Sequence, residues 1–378
     1  MAIPQNILLL TNYRADKQLS MLRFGELLKN NNQNSENHNF IEIFPKSIIG
    51  KFFYRNKIHK FAAYVDKYLL FPLKISKFIK ERSDKINLIH IIDHSNSIYF
   101  NTIKQVSHAR RLITCHDLIA IRSSLEEFPE APKISLSGKS LQYAIKRSLN
   151  HADYFVCDSS KTQEDLNRLI PHSKKNSEVI HLGTNFFSNK SLYPLNLPLN
   201  IKKTSYVMHV GSAAWYKNRK AVFKSFKFLC ESSSVKELKL ILVGPKPQAH
   251  ELDNELKMWI NSIDNSIFYF DKIPDTTLFH LYIHAKALIF PSHIEGFGWP
   301  PIEAAVHGCP VITTKTGAIY DLLGKSPFYI MANDQESINC TILNVLNNGN
   351  KISSDIFPPD FNQCLKNYFS LYSKILKK

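Results

Sequence analysis

The chain has 378 residues, 44% of them hydrophobic, enough to bury a large core and to divide into two domains. Lys and Arg outnumber Asp and Glu by 48 to 32, a formal charge of +16 that points to polyanionic partners: nucleic acid, an anionic membrane surface or a phosphate-bearing substrate. Six cysteines, at 115, 157, 230, 309, 340 and 364, have neither disulfide-framework nor metal-ligand spacing. No stretch approaches the ~20 apolar residues of a membrane span, and the first apolar run is too short for a secretion signal. A disulfide scaffold, a zinc ribbon and an integral membrane protein are therefore not expected.

In chain order, NILLLT at 6–11, FIEIF at 40–44, LIHII at 88–92, RRLITCHD at 110–117, YFVCDSS at 154–160 and EVIHLG at 178–183 read as strands, with amphipathic stretches between them. Such alternation predicts parallel βαβ units. The biased polar segment 30–39 reads as a loop. A Pro- and Asn-rich stretch then reads as a linker, and the alternation restarts with YVMHVG at 206–211, LKLILVG at 238–244, SIFYFDKI at 266–273, ALIFPS at 287–292 and PVITT at 310–314. The expected fold is α/β, with Rossmann-like halves over 1–185 and 204–360 joined by a linker at 186–203. The tail, 361–378, has helical apolar spacing with no strand after it, so it must bury its stripe on a neighbour, expected to be the N-terminal half.

Between Lys46 and Lys85, eleven basic residues face three acids and interleave with eight aromatics. At helical spacing Phe61, Val65, Tyr68 and Leu69 share a face, while Lys60, Lys67, Lys74 and Lys77 lie largely elsewhere. Three readings stand: a core-packed helix with a solvated basic side, a membrane-surface helix, or nucleic-acid binding, the last without any supporting motif.

The stretch HIEGFGWPPIEAAVHGCPVITT, 293–314, concentrates chemistry. A strand ends at Ser292, Gly296 and Gly298 follow, Pro300 and Pro301 open a helix, and Gly308 ends it. Glycines admit a ligand close to the backbone, and unpaired N–H groups at a helix start favour an anion such as phosphate. Glu295 and Glu303 repel phosphate, so they suit hydroxyls on either side of it. A nucleotide sugar has that layout, although Glu295 alone serves equally as a loop-end or capping acid. Lys217 precedes Asn218, a candidate helix N-cap, and an ammonium there is disfavoured unless an anion intervenes. His116 and Asp117 follow a strand at the carboxyl end, where open sheets place ligands.

An acid, GFG, a proline and a second acid eight residues after the first, followed by A…G.PVI, resemble the signature of the family-4 retaining glycosyltransferases. TCHDL at 114–118, HADYFVCDSSKTQEDL at 151–166, VIHLGTN at 179–185 and HVGSAAWYKN at 209–218 extend the resemblance over roughly residues 6 to 375. It implies the GT-B fold, two Rossmann-like domains with parallel sheets facing across a cleft. It implies catalytic roles for Glu295 at the donor hexose, Lys217 at the diphosphate and His116 at the donor sugar. Donor-binding roles follow for Gly296, Phe297 and Gly298 near the sugar and diphosphate, Glu303 at the ribose, and Lys272 and Ile273 at the nucleobase. Asp16, Gln18 and Ser20 fall where the family meets its acceptor, in a loop lacking the usual glycine pair, with plain loop and helix-capping roles as the alternative. Ser160, Lys161 and Thr162 match a loop facing the cleft, with Ser160 equally suited to cap a helix. The family's arginine before the lysine is replaced here by Ser212, Ala213 and Ala214.

The resemblance further implies hexose transfer from a nucleoside diphosphate sugar, with retention and without a metal or other cofactor. GSxxxYKN is similar to the form found in members acting on O-antigen, many of them mannosyltransferases, which makes mannose the first choice. The expected acceptor is a lipid-linked glycan or lipopolysaccharide precursor, with a soluble acceptor as the alternative, reached by a cytoplasmic enzyme held peripherally on the anionic inner face of a bacterial plasma membrane, with no role for nucleic acid. A sugar-nucleotide 2-epimerase of the same fold and a non-catalytic donor-binding subunit are the alternatives.

Overall fold

A computed structural model describes residues 5–16, 18–30, 38–53, 59–82, 85–184, 203–232, 237–248, 251–263, 265–348 and 358–377. All but Lys203 of the expected linker, 186–203, and most of the polar loop at 30–39 lie outside them. The chain forms two compact units: one of 1–127, 133–181 and 362–378, the other of 128–132 and 182–361.

The first unit holds β1 (Gln5–Leu10), β2 (His38–Ile43), β3 (Leu88–Ile91), β4 (Arg110–Cys115), β5 (Tyr154–Cys157) and β6 (Ser177–Val179) in one sheet ordered β2-β1-β3-β4-β5-β6. Every pair is parallel, with Leu10 opposite Ile43 and Ile91. A parallel sheet is covered on both faces, so its strands are continuous apolar runs. Ile7, Leu8, Leu9 and Leu10 are accordingly all buried. The C-terminal helix, Phe361–Lys377, buries Leu365, Tyr368, Leu371, Tyr372 and Ile375. It belongs to this unit: Tyr372 Oη is 2.9 Å from His90 Nδ1, and Tyr368 Oη is 3.1 Å from Thr114 Oγ1.

The second unit holds β7 (Tyr206–Val210), β8 (Lys239–Val243), β9 (Ile267–Phe270), β10 (Ala287–Phe290), β11 (Val311–Thr313) and β12 (Phe328–Tyr329), ordered β12-β11-β10-β7-β8-β9 and again all parallel. Read from the far edge this is the doubly wound order, with its reversal between β7 and β10. The first sheet reverses between β1 and β3. Side chains that leave the carboxyl ends of these four strands stand where such sheets bind ligands.

The basic aromatic stretch contains a helix, His59–Val65, a π-helical turn, Asp66–Leu70, and a helix, Phe71–Lys80. Ala62, Ala63, Asp66, Phe71, Ile75 and Ile79 are its buried side, and Phe61 and Leu69 are exposed. The periodic face expected from the sequence is divided: Phe61 and Leu69 project outward, whereas Tyr68 packs against the core. Asp66 sets the orientation, because its buried carboxylate accepts hydrogen bonds from the backbone N–H groups of Ile48, Ile49 and Gly50 (3.1, 2.9 and 2.9 Å) and from Tyr13 Oη (3.1 Å).

Candidate active site

In the second unit, the loops after β7 and β10 bring together two residues 78 positions apart. Lys217 Nζ donates to both carboxylate oxygens of Glu295, at 2.8 and 2.9 Å. Their side chains are only 13% and 7% exposed. The Glu295 N–H donates to Thr316 Oγ1 at 2.9 Å, and the Ala318 N–H to the Phe297 carbonyl at 2.9 Å. Gly317, at φ +59°, lies so close that a Cβ there would stand 2.8 Å from the Phe297 carbonyl oxygen and 3.0 Å from Glu295 Cβ. The loop after β11 therefore clamps the glutamate loop from behind.

Gly296 and buried Phe297 lead to Gly298, whose φ of +90° is open mainly to glycine and which sits at the N-cap of the helix Trp299–Val306. Pro300 and Pro301 occupy the first turn, where a missing N–H costs nothing, and Gly308 (φ +76°) follows the helix end. Glu303 is half-buried in the helix's second turn and accepts a hydrogen bond from Tyr282 Oη at 3.4 Å. Burial, and then the Glu303 charge, hold that phenol well above its usual pKa, so it stays a donor. Lys272 is exposed and Ile273 half-buried, just past edge strand β9. Two strand spacings, ~10 Å, separate that edge from β7.

One expectation is corrected here. Asn218 stands at the N-cap of the helix Arg219–Glu231 in a left-handed conformation, but its side chain makes no cap; it donates to the carbonyls of Pro291 and Ala332, at 3.1 and 2.9 Å. It ties the lysine loop to the loop after β10 instead. Arg219, near Lys217, does not replace the missing arginine, since its buried guanidinium is held by Glu251 and the Pro245 carbonyl.

In the first unit, His116 follows β4 and is buried. Nδ1 lies 2.6 Å from Asp158 Oδ2 and Nε2 lies 2.8 Å from the Ile92 carbonyl oxygen. Two acceptors leave both nitrogens donating, the arrangement of an imidazolium paired with a carboxylate. Burial works against the charge, but the Asp158 charge and hydrogen bond, helped by Asp93, push the pKa up to about 9. Burial raises Asp158 in turn, against the pull of His116. Asp158 Oδ1 has no hydrogen-bond partner among the described residues. Both ring nitrogens of His116 are thus engaged within the first unit. Asp117 accepts from the Ile119 N–H at 3.0 Å in a local turn just before the next helix. Ser159, not Ser160, caps the helix Ser160–Leu169, accepting from the Thr162 N–H, while Lys161 pairs with Glu164.

The residues expected on the acceptor side follow β1, at the β1/β3 reversal. Asn12 Nδ2 donates to Gln18 Oε1 and to Asp93 Oδ2, both at 2.6 Å, and Asn96 Nδ2 donates to Asn12 Oδ1 at 3.1 Å. Asp16 pairs with Lys67 at 2.7 Å. Ser20 is exposed in the first turn of the helix Leu19–Asn30.

Thr316, Gly317, Asp158 and Asp93 escape the sequence reading. All four follow strands of parallel sheets at their carboxyl ends, the rule that singled out His116, and applying it to every strand would have found them. Among the described residues, no three His, Cys, Asp or Glu side chains gather as a metal site, and no helix is long and apolar enough to cross a membrane.

Family models for glycosyl transferases group 1 and for glycosyltransferase family 4 match residues 198–355 and 51–186 respectively. The O-antigen chain mannosyltransferase RfbU of Salmonella typhimurium is 29% identical over 149 residues, 38% of this chain and 39% of that protein. The Escherichia coli O-antigen chain mannosyltransferase B is 24% identical over 260 residues, 67% of this chain and 66% of that one. The chain thus matches less than two thirds of these relatives' own lengths. Sucrose-phosphate synthase from Thermosynechococcus elongatus superposes with a TM-score of 0.75 at 16% identity, over 99% of both chains. With one family model on each half, two doubly wound sheets and the Glu295–Glu303 loop and helix at a topological reversal, the chain belongs to the family-4 glycosyltransferases and has the GT-B fold.

Proposed function

We propose that the protein transfers a hexose, mannose first, from a nucleoside diphosphate sugar to a lipid-linked glycan acceptor of the O-antigen or lipopolysaccharide kind, with retention and without a metal ion. The observation that carries the donor half is the Lys217–Glu295 pair beside Gly298 and the helix it opens. A diphosphate entering there takes the ammonium, and the released carboxylate accepts from sugar hydroxyls. The developing charge on the leaving diphosphate meets Lys217 and the first-turn N–H groups, fixed donors of the kind worth a few kcal/mol each in a dry site. Glu303 stands within the same helix to accept from the ribose diol. The mannose assignment is supported by the two O-antigen mannosyltransferases similar to this chain.

The acceptor half rests on the first unit. Ile48, Phe52, Phe61, Leu69 and Leu73 are exposed within the same stretch that carries exposed Lys46, Lys51, Lys74 and Lys77. Apolar residues interleaved with lysines suit peripheral binding to an anionic bilayer, here the cytoplasmic face. A thermal-shift screen of nucleoside diphosphate sugars in chelator tests the donor half. A ligand at 100 times its dissociation constant stabilises by ~2.7 kcal/mol, and GDP-mannose is expected to give the largest shift. A larger shift with UDP-hexoses replaces the sugar; no shift with any of them removes the donor site.

A further inference from the structure

An apolar groove of about 410 Å³ lies within the first unit, between Phe61, Tyr64, Val65, Tyr68 and Leu69 on one wall and Leu141 with the first turn of the helix Leu136–Leu149 on the other. A mostly apolar concavity of this volume falls within the size range of small-ligand pockets. The groove shares no residue with the expected donor site.

We propose that this groove binds a single hydrocarbon chain, the lipid end of a phosphate-linked acceptor; this rests on the lipid-linked acceptor reading and gives it a specific place. Three features favour that occupant. Its lining is carbon-rich, with hydroxyls only at Tyr64, Tyr68, Ser135 and Ser137, and at roughly 30 Å³ per heavy atom it has room for about a dozen carbons. Its wall is joined to the acceptor-side loop: Lys67 pairs with Asp16, and Asp66 holds the Tyr13 hydroxyl, so a chain lying there has its head beside residues 12–18. A cation suited to the lipid's phosphate stands at the groove's edge: the Lys67 ammonium lies 5.5 and 5.6 Å from the ring centres of Tyr64 and Tyr68, both lining residues.

The groove is rigid rather than incidental. The π-helical turn Asp66–Leu70 widens the helix at the middle of the wall, and Asp66 pins it with four hydrogen bonds. Opposite, Ser135 caps its helix by accepting from the Gly138 N–H, and a Cβ at Gly138 would meet Ile134 Cγ2 at 2.7 Å.

The test uses the full chain and farnesyl phosphate below its aggregation concentration, with inorganic phosphate and phosphatidylglycerol vesicles as parallel probes. Saturable one-to-one binding is expected, with tenfold or greater weakening in Leu141→Trp, which fills the groove from outside the 46–85 stretch. Leu69→Asn, an exposed position that does not endanger folding, should weaken it at least fivefold. Inorganic phosphate should not displace the probe, and Leu141→Trp should bind vesicles as the wild type does. Absent saturation, an unchanged Leu141→Trp affinity in folded protein, or displacement by phosphate alone overturns the proposal. So does parallel loss of probe and vesicle binding in Leu141→Trp, since the groove is then only part of a bilayer-facing surface. Saturable, groove-dependent binding without any vesicle binding supports the groove and removes the membrane reading instead.

Discussion

Replacing Lys217 with methionine keeps most of the side-chain volume and removes only the ammonium, leaving the Glu295 carboxylate 7% exposed and without its cation. Breaking a buried pair from one side costs about 3–5 kcal/mol, and the 13% exposure of Lys217 argues for the lower end, ~3 kcal/mol. Removing both charges in Lys217→Met/Glu295→Met abolishes the uncompensated charge, and the double variant should return to within ~1 kcal/mol of wild type. All three tryptophans, Trp215, Trp259 and Trp299, lie in the second unit, so their fluorescence in urea follows that unit even if the two unfold separately. Transfer activity should fall about a hundredfold in the single and double variants alike, the scale of one lost preorganised contact. A stable but inactive double variant separates the two roles of the pair. A Lys217→Met cost below ~1 kcal/mol with no coupling in the double-mutant cycle would show an ordinary surface contact and refute the reasoning.

Glu303→Ala should weaken donor binding at least tenfold by calorimetry, whereas Glu295→Gln should mainly lower turnover; equal donor affinity in all three proteins with unchanged rate removes both assignments. Transfer should survive exhaustive chelation, and loss restored by manganese would contradict the metal-free route. His90 and His209 are buried, and desolvation first, with neighbouring cationic groups, lowers both pKa values to about 3. Their unfolded forms bind protons below about 6.5, so stability is present above that pH and falls as the pH drops, by on the order of 3 kcal/mol for each at pH 4. Denaturation midpoints against pH should show this, with a shallower acid slope of the tryptophan signal in His209→Phe. His116 acts oppositely: its contribution is complete below pH ~6.5 and is lost as pH rises through about 9. Changing Lys46, Lys51, Lys74 and Lys77 together to glutamate should reduce sedimentation with anionic vesicles at least tenfold, given about 1 kcal/mol per charge near the bilayer.

The strands were legible because buried parallel strands are uninterrupted apolar runs. Only Phe328–Tyr329, two residues long, was too short to stand out. The glycine, proline and acid positions of 293–308 were legible for a related reason: each answers a local backbone demand. The Lys217–Glu295 pair was not, since it depends on β7 lying beside β10 in the sheet, which neither stretch encodes alone. The spacing of Phe61, Val65, Tyr68 and Leu69 announced a helix face but not its direction. A second face, with Ala62, Ala63 and Ile75, was equally apolar, and the choice fell to Asp66 and backbone donors up to eighteen residues upstream.

The placement of Phe361–Lys377 bears on the order in which the protein can be made. His90 and Thr114 in the middle of the first sheet take hydrogen bonds with Tyr372 and Tyr368, residues synthesised some 250 or more positions later. At 5–20 residues per second, roughly 10–50 s pass on the ribosome between the two halves of each contact. The second unit, whose last strand ends at Tyr329, has all its strands available before that helix emerges. The half begun first is therefore finished last, and for that interval its central histidine and the apolar bed of the helix stay uncovered, a window in which chaperone binding or aggregation competes with completion.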